Sequence, residues 1–286
     1  MATLREIRRR IASVEKTQQI TRAMHMVAAA KFRKSQAAIL LARPYARKMA
    51  EVIGSLASRA ELDLHPLLAR RLGKRTEVAI VTADKGLCGG FNSNILREAS
   101  RSIGRMRSEG KQVSLTLIGR RSRDYFRRRM VKPRAVHIDV FEDVTYHTAS
   151  LIVDDIIRLF SEGETDELYF IYNEFKSAVQ QDVVMERLLP FKPMEKTGRP
   201  LIDYLYEPSE PAVLDDLLVK HIKVQVYTIL LESSASEHAA RMTAMDAATN
   251  NAEDMIEFLT LRYNRARQET ITKELIDIVG GAEALH

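Results

Sequence analysis

"ESSASEHAARMTAMDAATNNAEDMIE", Glu232 to Glu257, contains neither glycine nor proline, and its apolar positions are mostly Ala and Met. It sits inside a longer run, Ala212 to Val279, of 68 residues without either breaker. At about 1.5 Å per residue this predicts a helix of roughly 100 Å, with Pro208 and Pro211 ahead of it and Gly280-Gly281 as its expected stop. Alternate steps of three and four from Leu214 pass through Leu217, His221, Val224, Thr228, Leu231, Ala235, His238, Met242, Met245, Thr249, Ala252, Ile256, Leu259, Tyr263 and Ala266. That is a heptad seam. After Ala266 the phase slips, and apolar residues resume at Ile271, Leu275 and Ile278. A seam of Ala, Thr and Ser lets two backbones approach closely but buries little area, at about 25 cal/mol per Å². The stretch therefore reads as a shaft that needs a sleeve.

The N-terminal segment begins in the same way, with Leu4, Ile7, Ile11 and Val14 at three-four spacing, then Met24, Val27, Phe32 and Ile39 less regularly. Pro44 is an expected kink, since it removes one backbone donor and crowds the carbonyl four residues back. Residues 1–58 carry twelve Lys or Arg against three acids, whereas 212–286 carry seven against twelve, within a total net charge of +6. A compact middle that brings its own ends together would lay these helices antiparallel, although each exposed ion pair contributes only about 0.2–1 kcal/mol. The expected division is a coiled-coil helix over 1–58, an α/β domain with linkers over 59–211, and a second coiled-coil helix over 212–286.

The middle alternates. "TEVAIVTAD" (76–84), "VSLTLIG" (113–119) and "DELYFIYNEF" (166–175) read as strands, with helices at 93–106 and 149–160 and a further strand at 182–191. This order implies a small, Rossmann-like parallel sheet with helices on its faces. "DKGLCGGFNSN" (84–94) joins the first strand to a helix, but it matches neither G-x-x-x-x-G-K-[ST] nor G-x-G-x-x-G, so it is read as a tight turn in preference to a phosphate cradle. Cys88, the one cysteine, is read as a buried and inert thiol, and a single cysteine fits a reducing compartment.

"GRRSRDYFRRRMVKPR" (119–134) packs eight Lys or Arg around Tyr125 and Phe126, either a weak nucleic-acid signal or a solvated basic helix facing an acidic neighbour. His25, His221 and His238 are read as packing or polar seam residues, not metal ligands. No run approaches the ~18 apolar residues of a membrane span, and the N-terminus is read as mature structure. No Ser-His-Asp order, paired-carboxylate motif or HExxH-like spacing marks an active site.

Four segments carry a resemblance. "IRRRIASVEKTQQITRAMHMVAAAKFRKSQ" (7–36), "DKGLCGGFN" (84–92), "LIDYLYEP" (201–208) and "ITKELIDIVGGAEAL" (271–285), the last with Thr272, Glu274, Asp277, Gly281 and Ala282 in place, resemble the gamma-subunit family of the rotary F-type ATP synthases, of bacterial type. The resemblance implies a non-catalytic central stalk, without cofactor or metal, whose antiparallel coiled coil rises into a hexamer of alternating alpha and beta subunits. It places the α/β domain beside the epsilon subunit and the c-subunit ring, with no nucleic acid, on the cytoplasmic face of the bacterial inner membrane. It implies that Arg267, Gln268, Thr272 and Glu274 hydrogen-bond to a loop of a catalytic subunit, and that Met24 passes that subunit's acidic lever. Lys31, Arg33 and Lys34 are added there for their charge, and Tyr204, Tyr206 and Glu207 are expected to form the foot on the c ring.

Overall fold

A computed structural model describes residues 3–57, 66–68, 71, 73–177, 180–191 and 209–283. Ten elements follow in chain order: α1 (Leu4–Ala57), β1 (Arg75–Val81), α2 (Phe91–Ser108), β2 (Gln112–Ile118), α3 (Arg120–Arg127), β3 (Ala135–His137), α4 (Tyr146–Ser161), β4 (Glu167–Phe175), β5 (Gln181–Leu189) and α5 (Glu210–Glu283). The chain divides into two compact units, residues 29–241 and residues 1–28 with 242–286.

The larger unit is built on a five-stranded sheet in the order β3-β2-β1-β4-β5, parallel except for β5, which runs antiparallel to β4. β1 is buried along nearly its whole length because helices cover both faces, which is why it reads as a continuous apolar run. One face packs Ile152, Ile156 and Phe160 of α4 together with Leu218, Ile222 and Leu230 of α5 and Met49 and Ile53 of α1. The other packs Ile95, Ala99 and Ile103 of α2 with Phe126 of α3 against Val78, Ile80 and Leu117. Thr145 caps α4 by accepting the Thr148 amide at 3.1 Å, satisfying one of the orphan donors of the first turn. Gly119, between β2 and α3, has φ +96°, and a side chain there would run into the Thr82 carbonyl.

The sheet also holds a buried carboxylate. Glu77 of β1, 1% exposed, accepts from the Ser114 and Thr116 hydroxyls of β2 and from Arg134 Nε at 3.2 Å. Arg134 donates onward to Asp155 of α4 at 2.6 Å. Each charge has a partner, as burial requires.

Two features differ from expectation. α5 continues through Gly280 and Gly281 to Glu283, so two glycines add their cost without ending the helix. β3, only three residues long, is an additional strand. Pro44, the candidate kink, lies inside α1 with its side chain exposed. α3 falls within the basic run, with Ser122 and Phe126 buried one turn apart.

Candidate partner-contact surfaces

In the smaller unit, α1 and α5 pair antiparallel: Arg8 Nη2 donates to Tyr263 Oη at 3.0 Å, and the Thr21 and Thr249 hydroxyls share a hydrogen bond of 2.8 Å. On α1 the inward positions are Leu4, Ile7, Ile11, Val14, Gln18, Thr21, His25 and Ala28, of which Ile7, Thr21 and Ala28 are fully buried. The seam is thus regular over the whole stretch, because polar and small side chains occupy positions where only apolar ones were sought. On α5, Met245, Ala252 and Leu259 are buried at seven-residue intervals, with Thr249 and Ile256 half-buried between them and Tyr263 half-buried one step beyond.

Beyond Ala266 every described α5 side chain is exposed. Among these are Ile271, Leu275, Ile276, Ile278 and Val279, between 44% and 68% exposed. Arg267, Gln268, Thr272 and Glu274 are exposed on the same stretch, and Gln268 and Thr272 line an open recess of about 490 Å³ with Arg265, Glu269, Lys273 and Ile276. A helix end that leaves this many large apolar side chains about half exposed or more is a candidate contact surface. Off-seam apolar residues extend the pattern: Ile20, Met26 and Val27 on α1, and Met255, Phe258 and Leu261 on α5, are all about half exposed or more. Sequence reasoning placed Val27 among the inward apolar positions, where it is instead 58% exposed, and passed over the other five, since an apolar residue off the heptad is recognisable only once the seam is known.

Met24 is half-buried in this unit. Lys31, Arg33 and Lys34 are exposed in the larger unit. Lys34 lies 3.7 Å from Asp143 with both side chains largely in solvent, a pair of little energetic weight. The positive charge of Lys31 is a minor influence on Glu237 of α5, whose ion-pair partner is Arg241. The structure therefore gathers Arg267, Gln268, Thr272 and Glu274 on one stretch and sets the three cations elsewhere, in the larger unit. Tyr204, Tyr206 and Glu207 lie outside the described residues.

Two other readings lose their physical basis. In the basic run, Phe126 is buried, while Tyr125 bonds Ser100 at 2.9 Å and lies under the Arg129 guanidinium at 3.6 Å, so neither ring is free to stack on a base. Arg120, Arg123 and Arg134 are paired with Asp139, Asp124 and Glu77. The loop from Asp84 to Gly90 is held by its own neighbours: Asn92 Oδ1 accepts the Ala83 amide at 2.9 Å, and Arg241 of α5 donates to Gly86 O at 3.1 Å. Cys88 is buried, and burial pushes its thiol up, as expected of an inert cysteine. His221 and His238 are buried and shifted down to about 4 by that burial, so both are neutral packing groups at pH 7. Among the described residues no cluster of His, Cys, Asp or Glu is arranged to hold a metal, and no helix is long and apolar enough to cross a membrane.

The comparisons with known proteins agree with this geometry. The family model described as "ATP synthase" matches residues 3–285. The ATP synthase gamma chain of Pelotomaculum thermopropionicum is 48% identical over 286 residues, covering all of both chains, and that of Geobacter sp. (strain M21) is 48% identical over 289 residues, covering 100% of this chain and 99% of its own. Among solved structures, a chain of the Tetrahymena thermophila mitochondrial ATP synthase central stalk and c ring superposes with TM-score 0.61 at 27% identity, covering 80% of this chain and 99% of that one. A Euglena gracilis mitochondrial ATP synthase chain, at 19% identity, shares the fold with TM-score 0.70 over 99% of this chain and 94% of that one. On a match that runs the length of the sequence and a shaft-and-sheet architecture shared with those structures, the chain belongs to the ATP synthase gamma-chain family.

Proposed function

We infer that this chain is the non-catalytic central-stalk rotor of an ATP synthase, transmitting torque between an ion-driven c ring and a catalytic alpha-beta hexamer. The observation that carries the reading is the far end of α5, where every described side chain from Arg267 onward is exposed and five of them are large and apolar. Apolar side chains offer contact without directional bonds, so a collar around them would resist rotation little. Lower down, the thin seam of Thr21, Ala28, Met245 and Ala252 keeps the two helices close, as a narrow axle inside a ring requires. Each orientation of such an axle would favour different open or closed states of the surrounding sites through differential contact free energy.

Within this reading Arg267, Gln268, Thr272 and Glu274 contact a catalytic subunit, Met24 with Lys31, Arg33 and Lys34 passes its acidic lever, and Tyr204, Tyr206 and Glu207 meet the c ring beside epsilon. Residues 1–58 and 212–286 serve as shaft and 59–211 as foot, and the chain reaches the cytoplasmic face of the inner membrane only through the complex. The test is Met24→Lys in membrane vesicles carrying the whole complex. The half-buried Met24 would become a cation among basic neighbours, and proton pumping per ATP hydrolysed is expected to fall. Unchanged pumping would remove Met24 from the contact surface, and a chain that never copurifies with the hexamer would end the rotor reading itself.

A further inference from the structure

A sheet of this strand order leaves a crevice outside the carboxyl ends of the two neighbouring strands at which the chain reverses its direction of winding, here β1 and β4. Ligands commonly occupy that crevice; in this protein its own helix does. From Ser233 to Arg241, α5 is buried on nearly every side, with Ala240 alone half-buried. Ser236 Oγ donates to Asn173 O of β4 at 3.4 Å. Arg241 donates from Nη2 to Gly86 O in the β1–α2 loop at 3.1 Å and from Nη1 to Glu237 Oε1 at 2.6 Å.

The Glu237–Arg241 side chains are only 5% and 10% exposed. A pair this dry carries a desolvation cost that apolar residues would avoid, so stability is a poor reason for it. Direction is a better one. Glu237 holds the guanidinium from one turn away and aims its fork at a loop that has little freedom to follow. Leu87 and Gly89 stand at φ +61° and +54°, and Asn92 Nδ2 donates to Cys88 Sγ at 3.1 Å. A side chain at Gly86 would run into the Arg121 guanidinium. Apolar packing is non-directional and permits sliding, whereas hydrogen bonds weaken steeply once turned off axis. A helix that rotated about its own axis by one residue, about 100°, would carry Arg241 away from Gly86 and Ser236 away from Asn173.

We propose that the β1/β4 crevice is a torque socket, in which Ser236, Glu237 and Arg241 key α5 against the sheet so that twist passes between them without slip. This rests on the rotor reading and adds the residues through which load enters the helix. The test uses the intact complex with Arg241→Met and, since that change strands the Glu237 charge, with the double variant Glu237→Gln/Arg241→Met. Amide exchange over residues 85–90 is expected to accelerate about tenfold to a hundredfold, the loss of one charge-assisted hydrogen bond. With the hexamer fixed and a bead on the c ring, the angular fluctuation of the bead is expected to broaden in the double variant. Faster exchange with unchanged angular spread in assembled complexes would overturn the socket while leaving the rotor reading in place. Absence of the unmodified chain from any complex with hexamer and c ring would overturn the rotor reading, and the socket's role in passing twist with it.

Discussion

Replacing Ala235 by Leu tests whether the small residues of α5 are there because nothing larger fits. Ala235 is 0% exposed and lies against Ile39 and Leu231, with Phe32, Phe175 and Tyr227 around them. One level along, Ser35 and Ser234 share a hydrogen bond of 3.1 Å, which fixes how far the two helices can separate. Three extra carbons placed there force neighbours off their rotamers, at a cost of about 1–3 kcal/mol. For a unit of this size each kcal/mol lowers the melting temperature by about 2–4 °C, so Ala235→Leu is expected to melt about 2–12 °C below the parent. Ala247→Leu is the control, because Ala247 is exposed on the same helix and the two residues have similar helix propensity. It should stay within about 0.5 kcal/mol of the parent. The assay is thermal melting of the purified chain followed by circular dichroism. If Ala235→Leu and Ala247→Leu melt together, close packing does not explain the small residues.

Other expectations follow from particular groups. Burial, reinforced by Glu174 and Glu186 and opposed by Arg43 and Lys176, raises Glu232 from an ordinary 4.5 to about 7. Its protonated form is therefore favoured by folding, so its contribution is whole below about pH 4.5 and is lost as pH rises through about 7. Melting curves across that range should show the parent losing stability with rising pH and Glu232→Gln losing less; parallel profiles would refute this. Gly119→Ala should destabilise by about 1–3 kcal/mol in urea titrations, since φ +96° and the Thr82 carbonyl both oppose a side chain. Leu275→Ser with Ile278→Ser, at positions 57% and 68% exposed, should leave melting within about 0.5 kcal/mol of the parent yet lower the recovery of assembled complex. Full recovery would show that these apolar residues are not a contact surface.

The elements that were legible in the sequence are those with a strong period or a buried run. β1 reads as a strand because helices cover both its faces, and α5 as a helix because nothing interrupts it before Gly280. The inner face of α1 was only partly legible: Gln18, Thr21 and His25 are polar residues at seam positions, so their inward direction depends on the partner helix. The stretch Ser233 to Arg241 read as part of a thin seam because its residues are small or polar, yet it is buried almost all round by the sheet and the β1–α2 loop, which no local pattern announces. Of the candidate contact surface, the apolar end at Ile271, Leu275 and Ile278 was visible as a phase slip. The off-seam set at Ile20, Met26, Val27, Met255, Phe258 and Leu261 became visible only once the seam was known.

The hydroxyl pair at Thr21 and Thr249 has a consequence for how the molecule finds its alignment. Sliding α1 by one heptad along its neighbour would set Thr21 opposite Met242 or Ile256, strip Thr249 of its counterpart and part Arg8 from Tyr263, while small and apolar layers such as Ile7, Ala28, Ala252 and Leu259 would tolerate the shift with modest loss. Polar rungs thus act as vernier marks, choosing among staggers that grease alone would leave nearly equivalent.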